Sequence, residues 1–197
     1  MDYFPVFLDL TGRRCLVIGS GDAAAARAAL LVRCGAEVVV VSGRFDAALL
    51  DDTALVMVAG VTFAAGETVA RAARARGIPV NVMDEPVLCS FIMPAIVDRS
   101  PVTIAISTGG ASPLLASLLR QWLDHVLPRG LGGLAALAGH CRELVRCRLR
   151  DGIERRRFWQ EILTGETAWL ALDGNIAAAG AALRQALDER AKRADAA

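Results

Sequence analysis

The chain has 197 residues, 54% of them hydrophobic, and a formal net charge of +1. That length suffices for one ordinary domain or two small ones with a real core, and the near-neutral balance argues against nucleic acid as a partner. No uncharged apolar run reaches the roughly 18 residues of a membrane-spanning helix, so the mean hydropathy of +0.42 points to a core or an interface.

The opening Met1-Asp2-Tyr3-Phe4-Pro5 lacks the basic and apolar regions of a signal peptide, which predicts a cytoplasmic location. Cys15, Cys34, Cys89, Cys141 and Cys147 are odd in number and without paired spacing. They read as reduced thiols, mostly buried.

Arg14-Cys15-Leu16-Val17-Ile18 reads as a buried strand, followed by a glycine turn and a helix that runs to Cys34 and stops at Gly35. Glu37–Ser42 is a second parallel strand. The spacing Gly19-x-Gly21-x-x-Ala24 matches the dinucleotide fingerprint with alanine at its third position, in the strand-to-helix context that gives the pattern meaning. Gly19 permits the tight turn, Gly21 lets amides approach a pyrophosphate, and the helix start offers partial positive charge. Where many such sites carry an acidic residue for the ribose, this chain has Ser42-Gly43-Arg44, which leaves NAD and NADP both open. The crossover from Gly43 to Asp52 is short. A third strand over Ala54–Ala59, a helix over Gly66–Arg76 and a strand over Ile78–Met83 then lead to Asp84.

Two β-prone runs, Phe91–Val97 and Val102–Ile106, flank the turn-forming Asp98-Arg99-Ser100-Pro101 and predict a hairpin. Its apolar edges predict a two-fold homodimer. Ser107-Thr108-Gly109-Gly110 precedes a helix beginning near Pro113 with Ser112 as its N-cap. It reads equally as an anion-binding turn or a plain connection. From Arg129 to Arg157, eight arginines stand against Glu143, Asp151 and Glu154, so this stretch suits an anion-rich ligand or a solvated helical face. His125, and His140 with Cys141 and Cys147, match no zinc spacing, and no resident metal is expected.

Asn81-Val82-x-Asp84, the proline-marked hairpin and Gly109-Gly110-x-Ser112-Pro113 form a long, distinctive middle segment. With the opening Phe4-Pro5-Val6-Phe7-Leu8-Asp9-Leu10 and the tail motif Glu154-Arg155-Arg156-Arg157-Phe158-Trp159, the chain resembles the precorrin-2 dehydrogenase/sirohydrochlorin ferrochelatase family of siroheme synthesis. It is similar to the N-terminal region of siroheme synthases, without the methyltransferase domain. The resemblance implies an α/β fold: a shortened Rossmann-like parallel sheet, then a hairpin dimerisation region and a small helical domain. The corresponding boundaries are 1–88, 89–140 and 141–197. It also implies NAD-dependent oxidation of precorrin-2 to sirohydrochlorin in a cytoplasmic homodimer, with Fe2+ as a further substrate where siroheme is made. The family's usual strand–helix portion between Ser42 and Ala54 is missing, and Gly60-Val61-Thr62 replaces its usual polar pattern after the third strand.

Candidate cofactor-binding residues are Gly19, Ser20, Gly21, Asp22, Ala23, Ser42 and Asn81. Thr108, Arg99 and Arg120 are candidates for the tetrapyrrole, whose carboxylates suit planar guanidinium groups. Asp84 has two readings from the residues alone: a turn cap before Glu85-Pro86, or a general base at the end of a parallel strand. The resemblance favours the base. A chelatase-only enzyme and a non-catalytic tetrapyrrole-binding dimer without NAD are the competing functions.

Overall fold

The computed structural model describes residues 2–195, in two compact units. One comprises the chain up to Met93 with Gly109–Ala111, and the other Pro94–Thr108 with Ser112 onward.

The first unit is built on a four-stranded sheet of β1 (Arg14–Gly19), β2 (Glu37–Val41), β3 (Leu55–Ala59) and β4 (Val80–Val82). The strands run in the order β2-β1-β3-β4 and every pairing is parallel. β1 and β3 lie in the middle and are buried on both faces, which is why they read as unbroken apolar runs. Alternation sorts their side chains. Cys15, Val17, Leu55 and Met57 meet Ala24 and Leu31 of helix α1 (Gly21–Arg33) on one face. Leu16, Ile18, Val56 and Val58 meet Val69, Ala70 and Ala73 of α2 (Phe63–Ala75) on the other. Each fully buried leucine or valine contributes about 1.5–3 kcal/mol.

The link from β2 to β3 holds a single 3-10 turn, Ala47–Leu50, as the short crossover predicts. Leu50 plugs it into the core, while one Arg14 nitrogen (Nη1) donates to Leu49 O at 2.7 Å, Asp51 O at 2.6 Å and Thr53 Oγ1 at 2.8 Å. Helix α2 starts earlier than the expected Gly66, because Thr62 caps it by accepting from Ala65 N.

In the second unit, β5 (Ala95–Arg99) pairs antiparallel with β6 (Val102–Ile106) and packs on α3 (Pro113–Val126). The first hairpin strand begins at Ala95 rather than Phe91. Phe91 and Met93 instead pack on the α1 face of the first unit's sheet, which carries that unit past residue 88. The hairpin and the later helices form one compact unit. Those helices are α4 (Leu131–Arg148), α5 (Gly152–Thr164), α6 (Glu166–Leu172) and α7 (Ile176–Asp195). Phe158, Val145, Leu183 and Leu187 form the main helical core.

Burial corrects two expectations. Only Cys15 and Cys141 are buried, Cys89 is intermediate, and Cys34 and Cys147 are exposed because they fall on the outer ends of helices. The bare apolar surface lies less on the hairpin strands, where Val97 is buried, than on α3. There Leu114, Leu115, Leu118, Leu119, Trp122 and Val126 are exposed at helical spacing, forming a single stripe.

Candidate active site

Because all four strands of the first sheet are parallel, their C-terminal ends share one edge. The chain leaves β1 toward β2 on one side and β3 toward β4 on the other, so the switch point falls between β1 and β3. Two glycines shape that crevice. Gly19 has φ +136°, and a Cβ on it would lie 1.7 Å from Ala59 O. Gly60, directly after β3, has φ +69°, and its Cβ would meet Ser20 O at 2.7 Å. Only backbones without side chains can approach so closely.

Ser20 is the N-cap of α1 but makes no side-chain cap bond. The first amides of this 13-residue helix therefore point toward the crevice edge without a side-chain acceptor. Ser20, Gly21 and Asp22 are exposed, Ala23 is half-buried, and Ala24 is buried against the sheet, as its fingerprint position requires. Ser42 follows β2 on the same edge and is exposed, with Gly43 at φ +145° next to it. This cradle fits a dinucleotide pyrophosphate: open amides, a helix start and a close backbone approach.

Asp84 stands two residues beyond β4 on the same edge. It is a non-glycine residue at φ +63°, exposed, and it makes no side-chain hydrogen bond or ion pair among the described residues. Its turn begins two strands away from Gly19, about 10 Å at ordinary strand spacing. Such a conformation costs of order 1–3 kcal/mol and persists only where the surroundings enforce it. Asn81 is buried, with its amide nitrogen donating to Phe91 O at 3.0 Å and to Cys89 Sγ at 3.4 Å. Its side chain is thus turned toward the following loop.

In the second unit, the Arg99 guanidinium donates to the Asp124 carboxylate and to Asp124 O, both at 2.8 Å, binding the hairpin to α3. The Thr108 hydroxyl is engaged with the backbone of Ser112, donating at 3.0 Å and accepting at 3.1 Å. Ser112 caps α3 by accepting from Leu115 N at 3.2 Å. Arg120 lines a shallow cleft at the end of α3 with Asp124, His125 and Arg129. Of the eight arginines, Arg146 pairs with Glu143, Arg148 with Asp188 and Arg157 with Glu154, while Arg155 donates to Leu149 O and Arg150 O. Arg129, Arg142, Arg150 and Arg156 keep exposed guanidinium groups without partners among the described residues. No group of three or more His, Cys, Asp or Glu among those residues is arranged to hold a metal ion.

Two contributors escape the sequence reading. Gly60 carries a signal, a glycine closing a second buried strand as Gly19 closes the first. Cys89 carries none, because its role arises from where the chain folds back.

Three family models match nearly the whole chain. Residues 6–95 match a putative NAD(P)-binding region, 99–124 the sirohaem biosynthesis protein central region, and 130–187 the sirohaem synthase dimerisation region. The siroheme synthase of Nitrosospira multiformis is 41% identical over 212 residues, covering 95% of this chain and 45% of its own length. That of Thiobacillus denitrificans is 41% identical, covering 97% of this chain and 44% of its own. The chain thus spans somewhat under half the length of these relatives. The first alignment is longer than the chain itself, so that relative carries residues within the matched region that this chain lacks. The solved structure of SirC, precorrin-2 dehydrogenase, superposes with a TM-score of 0.68 over 93% of this chain and all of that one. At 20% identity this shows a shared fold.

Proposed function

We propose that this chain, which is similar to siroheme synthases along nearly its whole length, is an NAD-dependent precorrin-2 dehydrogenase with Asp84 as general base. Conversion of precorrin-2 to sirohydrochlorin removes two hydrogens, one as hydride and one as proton. NAD+, held at the glycine turn, would supply the hydride acceptor. The backbone amides at the start of α1, opened by Gly19 and Gly21, hold the pyrophosphate, with Ser20, Asp22 and Ala23 around it. Ser42 lies at the ribose end.

The observation that carries the reading is Asp84: an unpaired, solvent-facing carboxylate on the same sheet edge as the glycine turn, in a conformation the fold must enforce. A positioned base of this kind is worth about 10²–10⁴-fold in rate. Fe2+ insertion makes a related demand, because pyrrole N–H protons leave as the metal enters. The same carboxylate serves that step, with Fe2+ as substrate. Arg120, Arg142, Arg150 and Arg156 offer guanidinium groups to the tetrapyrrole carboxylates. The apolar stripe on α3 and the match to a dimerisation region support a homodimer, and the free cysteines support a cytoplasmic location.

The shortened crossover favours one alternative, a chelatase that no longer binds NAD. The test is anaerobic, with precorrin-2 and NAD+, following NADH and sirohydrochlorin by absorbance. Turnover that vanishes in Asp84→Ala sustains the dehydrogenase. A folded protein that binds the tetrapyrrole, does not bind NAD+ and inserts Fe2+ into sirohydrochlorin establishes the alternative.

A further inference from the structure

The stretch after Asp84 wraps the free edge of β4. Leu88 packs with the α2-side core, whereas Phe91 and Met93 pack with the α1-side core, so residues 88–93 pass from one face of the sheet to the other. Along the way, the Ser90 backbone amide and the Ser90 and Cys89 side chains supply hydrogen bonds that a neighbouring strand's backbone would have made. Ser90 N donates to Val80 O at 2.8 Å, and Ser90 Oγ accepts from Val80 N at 2.8 Å. One step on, Cys89 Sγ accepts from Val82 N at 3.2 Å and lies within donating reach of Val82 O at 3.2 Å and Glu85 O at 3.4 Å. Asn81 closes the set by donating to both Cys89 Sγ and Phe91 O.

Val82 and Glu85 bracket the Asp84 turn, and Glu85 N also donates to Val82 O at 3.3 Å. The thiol therefore grips both shoulders of the residue at positive φ. We propose that Asn81 and Cys89 are positioning residues: their hydrogen bonds clamp the 82–85 turn and hold Asp84 in the strained conformation that presents its carboxylate. This rests on the reading of Asp84 as the base. It gives Asn81 a place in the support of that base rather than on the cofactor. Neither side chain touches a reacting atom. Cys89 acts through the backbone on either side of Asp84, and Asn81 acts through Cys89 and the Phe91 carbonyl.

The test compares the full chain with Cys89→Ala, Cys89→Ser and Asn81→Ala, using steady-state kinetics, NAD+ binding by calorimetry and amide hydrogen exchange of residues 82–85. Cys89→Ala is expected to lower kcat by about tenfold or more, since small misplacement of a catalytic group is costly. KM values and the NAD+ Kd stay unchanged, and exchange at 82–85 quickens. Serine, which keeps a donor and acceptor at the same place, restores both kcat and protection. Asn81→Ala follows Cys89→Ala. Wild-type kcat and wild-type exchange in Cys89→Ala overturn the clamp, as does a raised NAD+ Kd with unchanged kcat in Asn81→Ala. Should the wild-type chain show no dehydrogenase turnover, the reading of Asp84 fails, but the exchange measurement still decides the clamp. Quickening confined to 82–85 and reversed by serine upholds it, and its absence ends it.

Discussion

Two turns on one edge of the first sheet reach unusual backbone conformations by opposite means. After β1, the Gly19 turn exists because side chains are missing: a single methyl group would collide with Ala59 O, and the matching Gly60 faces Ser20 O in the same way. After β4, the Asp84 turn exists because side chains are present: Cys89, itself held by Asn81, ties down the backbone on both sides of a residue that would not choose φ +63° unaided. A turn of the first kind tolerates no substitution but stays open to a ligand. A turn of the second kind carries a functional group and depends on residues elsewhere in the chain.

The sharpest way to break the contrast is Gly19→Ala. Its Cβ meets a backbone oxygen of the central sheet, which cannot move aside, so the expected loss is about 3 kcal/mol or more. Chemical denaturation should show it, together with lost NAD+ binding. Asp84→Gly sharpens it from the other side. Glycine adopts the same φ without strain, so stability should rise by about 1 kcal/mol while turnover falls about 10²–10⁴-fold. A variant that loses stability along with activity would show that the carboxylate, not the clamp, maintains the turn.

Arg14→Ala probes a third connection held by side chains, the 3-10 turn between β2 and β3. Three acceptors lose one charged donor, and about 2 kcal/mol of stability should go with it, read from the urea midpoint. The smallest effect concerns Asp151, which caps α5 by accepting from Glu154 N at 2.9 Å. That backbone hydrogen bond holds its carboxyl below the ordinary value of 3.8. The unfolded chain therefore binds the proton more readily. The cap's contribution is present above the unfolded value and lost as pH falls through the lower folded one. An acid titration of helicity should show a late loss that Asp151→Asn, which caps without a charge, removes.

The parallel sheet, the glycine turn, the hairpin and the Ser112 cap of α3 were all legible, because each rests on local pattern: apolar runs, φ-permissive residues and cap spacing. The start of the hairpin was not, since Phe91 and Met93 have the β-prone character of a strand and spend it on the core of the first unit, to which they belong. Arg99 has the look of a carboxylate ligand for the substrate, and the structure turns its two terminal nitrogens to Asp124, 25 residues away. The charge excess from Arg129 to Arg157 was plain in the sequence, yet which arginines stay free depends on partners as distant as Asp188.

By itself, then, the sequence determined the order of elements, the shortened crossover and the residues able to form a nucleotide cradle, since these depend on backbone freedom and on periodic burial along short stretches. Only the tertiary structure decided that Asp84 sits at positive φ, that Cys89, held by Asn81, grips its turn, and that α3 carries the bare apolar stripe. Those outcomes depend on which surfaces remain uncovered and which donors remain unpaired once distant segments have packed. No local pattern records that.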